Sequence, residues 1–565
     1  MKLKKWMNGC LAMLMASVMA MSLSACGNDK APAKSGDGTG NENVAENADP
    51  YGAYSETVVM NIGKFFGTPV ELPDGRSRDD NALRDYIKET LNLEYNFTLE
   101  TMGAEDYQRQ MSLAIASEEL PDVMAITDRN VLDELMENDL IADLTDVFNA
   151  YAGDYMKEVY NTYNYPILDR VTYDGKMMAL PRCAPEMGTL VWIRQDWVDA
   201  LGLTLDADGD KIISRDELQM VAQEFLEKDP GASGNPVGLA VSTAIGEGSS
   251  QTLNAVDDSF GAFPARWLKS EDGTVYNSFA SPEMKEALQW WAEMFQEGIL
   301  DPQFGVRKQE DIIAMLVNGQ TGVTFGEWTN PAWQFASIKE LNPEAEFTAY
   351  CLDNGNGKVN MTILDTSNIW FVVRKDYEHP EALIKLANVM AEVLPNTKNM
   401  QEEIPEIYAY MQTSAYGQIH PLTDFLPSNY YAIYGCENVD AYFDGTLALE
   451  DITNATTIVT IEARETMKTN PTDPAAWGTV LAYGEGIATL NALDEQGLIE
   501  WVAPLRLGTT KTMNSKQAAL DKIQEEAIVK IITGKVPVDE FDSFVKEWNA
   551  RGGAQIAEEL AEKLK

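Results

Sequence analysis

Between Asp206 and Glu217 the chain places oxygen donors at intervals that suit a hard divalent cation. Asp206, Asp208 and Asp210 alternate, Ile212 offers a backbone carbonyl, and Glu217 closes the twelve-residue stretch with two carboxylate oxygens. Ser214 is placed to act through a water. Three carboxylates this close repel one another, and a bound cation relieves the repulsion. Calcium is the expected ion and its expected role is structural; the competing reading is a solvated acidic turn. The sixth position, where the chain turns sharply and glycine is usual, is Lys211, which costs roughly 1 kcal/mol if its φ is positive. Catalytic spacings are scarce by comparison. Only His379 and His420 are available, too few for an easy zinc site or serine–histidine triad. No HExxH, phosphate-binding loop or nucleophile elbow is present. Among 89 Asp and Glu, some pair could always sit at the roughly 5–10 Å separation used by glycosidases.

The acidic loop needs elements to hold it. A helix is expected after it, with Leu218, Val221, Phe225 and Leu226 on one face, and a short one before it near Trp197 to Leu201. That makes an isolated, EF-hand-like site at 206–217. Upstream, Thr57 to Ile62 reads as a buried strand, Asp79 to Thr90 as a helix, and Leu91, Leu93, Tyr95, Phe97 and Leu99 alternate as a half-buried strand. Tyr107, Met111, Ala114 and Ile115 share a helix face, and Val123–Ile126 is the next strand. Strand, helix, strand, helix, strand predicts an α/β lobe with a largely parallel sheet. Ligands in such sheets bind beyond the carboxyl ends of the strands. Lys64 stands at one such end and Asp128-Arg129 at another.

The N-terminus carries a different chemistry. Lys2, Lys4 and Lys5 precede an apolar run to Met21, and Leu23-Ser24-Ala25-Cys26 follows. This is the layout of a secretory signal over 1–25, and its end resembles a bacterial lipobox. That resemblance implies a diacylglyceryl group on Cys26, whose two chains suffice for stable attachment. Residues 26–52 are rich in Gly, Asn, Asp and Ala and read as a flexible tether of roughly 25–30 Å. The formal charge of −46 disfavours nucleic acid and anionic lipid headgroups as partners. Cys183, Cys351 and Cys436 are too scattered for a disulfide framework and read as buried thiols.

Six further motifs occur in register. Ala116-Ser117-Glu118-Glu119-Leu120-Pro121-Asp122-Val123, Tyr173-Asp174-Gly175-Lys176 with Ala179-Leu180-Pro181, and Ile193-Arg194-Gln195-Asp196-Trp197 are three. Asn318-Gly319-Gln320-Thr321-Gly322 with Gly326-Glu327-Trp328, His379-Pro380-Glu381-Ala382, and Ile531-Ile532-Thr533-Gly534 with Trp548 and Gly552-Gly553 are the others. Together they resemble the extracellular solute-binding lipoproteins of ABC importers, of the LipO-like, carbohydrate type. Glu118 stands where that pattern usually has Gly, and Met178 where an aromatic is usual. The resemblance implies an α/β two-lobe clamshell of the periplasmic-binding-protein type II, with hinge crossovers. It implies lobe 1 from 53–166 plus 366–418, and lobe 2 from 167–365 plus 419–565.

For a sugar ligand such a cleft needs flat aromatics against C–H faces and polar groups for hydroxyls. The family pattern puts Trp328 in the stacking role, with Glu327 beside it, and Asp128-Arg129 on hydroxyls. Lys64, Arg182, Glu186, Tyr430 and Tyr431 complete the candidate site; Trp333 is undecided, as are Trp267, Trp477 and Tyr483. Trp291 shares a helix face with Met284, Leu288 and Phe295 and reads as core. The expected function is capture of an oligosaccharide by a monomeric, lipid-anchored, extracytoplasmic receptor that delivers it to permease subunits, without catalysis. A peptide or polyamine receptor on the same fold, and a surface-anchored carbohydrate-active enzyme, are the alternatives.

Overall fold

A computed structural model describes residues 48–564 apart from 68–70, 164–165, 184–187, 245–249, 364–366, 412, 414, 423–430, 453–454, 506 and 508. Ala48–Lys565 is one unit by itself. Met1–Asn47, with the proposed leader and Cys26, lies outside the described residues.

In chain order the elements that matter are β1 (Val58–Phe66), α1 (Ala82–Leu91), β2 (Leu93–Met102), α2 (Ala104–Ser117), β3 (Val123–Ile126) and α3 (Arg129–Glu137). Then come β4 (Leu180–Pro181), β5 (Thr189–Arg194), α4 (Gln195–Leu201), β6 (Ile212–Ile213), α5 (Arg215–Lys228), α6 (Asn254–Phe260) and β7 (Trp267–Lys269). Next are β8 (Val323–Glu327), β9 (Phe347–Leu352), β10 (Val359–Thr362), β11 (Trp370–Val373), β12 (Ile499–Val502) and α7 (Lys511–Ile532).

Two sheets anchor two halves. The first has strand order β2-β1-β3-β11-β4, parallel through β1, β2 and β3, with β11 antiparallel to β3. The second has order β8-β5-β9-β6, with β5 antiparallel to both neighbours. Local chemistry accounts for the early elements. Asn81 caps α1 by accepting from the Arg84 amide at 3.2 Å, and Leu83, Ile87 and Leu91 bury its apolar stripe. Asn92 ends the helix in the left-handed region, φ 53°. Glu118 ends α2 likewise, φ 56°, where glycine would be free of the roughly 1 kcal/mol cost. β3 is buried on both faces, as expected of a strand flanked by partners in a covered sheet.

Each half has its own hydrophobic core. One gathers residues from Val58 to Cys183 and from Ile369 to Leu422. The other is built from two neighbouring clusters between Leu190 and Leu560. The expected boundary at Pro166 falls within the run of residues that joins the first core. Ile167, Val171, Leu180 and Cys183 are all fully buried in the first core, and Leu190 belongs to a core cluster of the second half. Ile419 and Leu422 extend the returning leg beyond the expected 418. Among the described residues no helix is long and apolar enough to cross a membrane.

Candidate functional site

A cavity of about 440 Å³ opens where the two halves meet. Its first wall begins at the carboxyl end of β3. Asp128 caps α3 there, accepting from the Asn130 amide at 2.8 Å. The cap fixes Arg129 at the first helical position. Its Nε reaches Asp133 Oδ1, one turn on, at 3.2 Å, and Nη1 donates to the Arg170 carbonyl at 2.6 Å. The Arg129 guanidinium lies 4.8 Å over the Tyr173 ring. Trp370 opens β11 opposite Ile126 of β3, and both the Arg129 and Arg170 guanidiniums lie over its indole, at 5.9 and 5.8 Å. Trp370 is 4% exposed, and its indole N–H has no hydrogen-bond partner among the described residues.

The opposite wall comes from the second half: Ala265, Arg266, Trp267, Pro504, Leu505, Leu507 and Thr509. Trp267 starts β7. Its carbonyl accepts from the Leu505 amide at 2.7 Å and its ring packs 5.8 Å from Trp548, so the wall is fixed from behind. Ala265 has φ 65°, a conformation that disfavours a Cβ and that gathers at functional sites. Thr509 Oγ1 donates to Asn130 Oδ1 across the opening.

Asp128 and Arg129 thus line this cavity. Several other candidates lie elsewhere. Trp328 is 5% exposed and belongs to the second half's core, 4.9 Å edge-on to Tyr483, with Gly486 against its Cβ. It is not among the residues that line this cavity. Lys64 is also buried, its amine donating to the His420 carbonyl at 2.6 Å. Glu327 pairs with Thr189 at the sheet edge, and burial pushes its carboxyl up. Arg182 follows β4 and is bonded to Asn368 Oδ1 at 3.3 Å. Glu186 and Tyr430 lie outside the described residues; Tyr431 begins a helix, Tyr431–Phe443, and its side chain is not described. Trp333 is 82% exposed. Trp370, Arg170, Arg266 and Trp267 are among the lining residues that the sequence did not single out. Trp370 opens an apolar run that reads as core, and 265–267 falls in a stretch without periodicity.

The acidic loop is a second site. Carboxylate oxygens of Asp206, Asp208 and Asp210 all lie within 4.8 Å of one another. Asp206 accepts from the Asp210 and Lys211 amides at 2.9 and 3.1 Å, which curls the loop. Burial, the largest influence, raises the Asp206 carboxyl. Lys211 has φ 69°, the left-handed turn expected at the sixth position. β6 fastens the loop to β9, pairing Ile212 with Cys351, and Glu217 joins its ends by accepting from the Asp206 and Ser214 amides at 3.0 and 2.9 Å. The Lys211 amine turns away to Glu485 at 2.9 Å. The donor set and its curl fit a hard cation.

Comparison with known proteins agrees with the two-halved architecture. A profile for bacterial extracellular solute-binding proteins matches residues 81–393. The polygalacturonan/rhamnogalacturonan-binding protein YtcQ of Bacillus subtilis is 22% identical over 501 residues, 86% of this chain and 88% of YtcQ. Lipoprotein LipO of the same organism is 21% identical over 500 residues, 87% of this chain and 89% of LipO. In fold, the chain is similar to an extracellular solute-binding protein from Bifidobacterium longum subsp. infantis, with a TM-score of 0.56 at 15% identity, covering 90% of this chain and 98% of that one. Two separately cored α/β halves, an intervening cavity and a profile match over more than half its length place this chain in the bacterial extracellular solute-binding protein family.

Proposed function

We propose that this chain is the capture component of an ABC importer, held by a lipid on Cys26 at the outer face of a bacterial membrane. It takes an oligosaccharide between its halves and passes it unaltered to permease subunits. The observation that carries the reading is the cavity itself, with Trp370 from one half facing a wall that contains Trp267 from the other. Indoles supply flat faces for sugar C–H surfaces, and Asp128 with the guanidinium groups supplies hydroxyl partners. YtcQ, a relative along nearly the whole chain, has a polysaccharide as its named ligand. Binding that bridges both halves favours a closed form by its differential affinity for the two arrangements. Calcium in the loop of Asp206, Asp208, Asp210, the Ile212 carbonyl and Glu217 would pin the second half structurally and take no part in binding the sugar.

The test is calorimetry and thermal shift with the purified full chain against saccharide and peptide panels, followed by chromatography of the recovered ligand. Tight saccharide binding with unchanged ligand supports the receptor. Peptide binding alone, or shortened glycans, would overturn it.

A further inference from the structure

We infer that the cavity reads carboxylate groups, so that the ligand is an acidic oligosaccharide built of uronic acids, gripped by a guanidinium from each half. This rests on the cavity being the ligand site of the receptor reading above.

Lys and Arg number 43 against 89 Asp and Glu, so a random patch of this surface is acidic. The cavity departs from that. Its lining holds Arg129, Arg170 and Arg266 against one carboxylate, Asp128, and that carboxylate is engaged in capping α3. The guanidinium groups are held before any ligand arrives. Asp133 and the Arg170 carbonyl fix Arg129, and the Trp370 face lies under both Arg129 and Arg170. Arg266 follows the left-handed Ala265 and is only 8% exposed. Acidic groups behind the wall weaken this field only in part. Asp133 partners Arg129, and Asp258, half-buried beside Asp257 and raised above the usual carboxylate range by desolvation, acts on Arg266.

Planar guanidinium forks match carboxylates bidentately, and such bonds are about twice as strong as neutral ones. A hydroxyl-only sugar does not need three of them. Two indoles in the same cavity supply the ring faces that a free carboxylate or acidic peptide would leave uncovered. Arg170 and Arg266 stand on opposite walls, so a carboxylate held by both ties the halves together.

The experiment compares one saccharide in two charge states. Trigalacturonate, its fully methyl-esterified form, and maltotriose are titrated into the full chain by calorimetry at low and at 0.5 M salt. The free acid is expected to bind at least about tenfold tighter than its ester, the equivalent of one charge-assisted bond. That ratio should shrink at high salt and in both Arg170→Gln and Arg266→Gln. Equal binding of acid and ester by the wild type overturns the inference, as does tight binding of maltotriose without the acid; in both cases the oligosaccharide receptor stands. No binding of any saccharide overturns both. Because the acid-to-ester ratio is read on the wild type, a variant that fails to fold does not remove the test.

Discussion

The Lys64 amine donates a 2.6 Å hydrogen bond to the carbonyl oxygen of His420, and both residues are 3% exposed. The bond ties β1 to the end of the leg that returns through the first half, beside the Arg78 bond to the Gln418 carbonyl at 3.1 Å. The His420 ring accepts from the Leu422 amide at 3.1 Å, and burial, then the Lys64 charge, holds its pKa well below the ordinary value. A buried neutral histidine adds nothing above about pH 6.5, where the unfolded chain is neutral too. Below that pH the unfolded state takes up a proton that the folded state refuses, and stability falls. Melting temperature should therefore drop from pH 7 to pH 5, and His420→Gln should flatten the drop. Lys64→Met should lower stability by about 1–3 kcal/mol at neutral pH, the cost of stranding a buried acceptor, measured by denaturant unfolding.

Asp257 tilts the curve the opposite way. It is fully buried, with Oδ1 accepting from the Trp291 indole at 3.0 Å and Oδ2 without a partner among the described residues. Burial pushes its pKa up to about 7. The folded state then binds a proton that the unfolded state has released, so stability declines as pH rises from about 4 to about 7 and levels off above. Asp258, next in sequence, is also raised, so the two acids titrate as a coupled pair. Asp257→Asn keeps an acceptor for Trp291 and removes the ionisation. It should stabilise the protein at pH 8 by on the order of a few kcal/mol and change it little at pH 4, read by urea unfolding at both values.

The calcium proposal predicts a rise in melting temperature on adding millimolar calcium to chelator-treated protein. Asp208→Asn should abolish that rise while leaving the chelated protein's melting point unchanged or higher, since one repelling carboxylate is gone. An equal rise in the variant would mean that the ion binds elsewhere.

Local features carried most of the fold, and long-range ones did not. The alternation from Leu93 to Leu99 and the stripe Tyr107, Met111, Ala114 and Ile115 correspond to β2 and α2, because each depends on spacing alone, while Leu91, read as part of the strand, closes α1 instead. The turn at Lys211 was legible for the same reason. The lobe boundary was not: the family resemblance put it at Pro166, while Ile167 and Val171 join the same core as Ile369 to Val373, some 200 residues away. Trp370 was hidden by its context. Trp370-Phe371-Val372-Val373 reads as a wholly buried strand, and only the sheet's end at the cavity distinguishes its first residue from the other three. Trp328 shows the converse, since a motif supplies the position of a residue but not the packing around it.

Trp328 and Trp370 can be separated by experiment because each is buried, yet only Trp370 lines the cavity. Trp328 meets Tyr483 and Gly486 inside the second half's core. Trp328→Ala should cost about 3–5 kcal/mol of stability, the usual range for deleting a large core aromatic. Trp328→Phe should cost less and leave saccharide affinity unchanged. Trp370→Phe retains a ring but loses the wider face that lies under Arg129 and Arg170. It should weaken saccharide binding severalfold in calorimetry, at a smaller loss of melting temperature than Trp328→Ala. Affinity lost in Trp328→Phe and kept in Trp370→Phe would move the binding surface out of this cavity and into the second half.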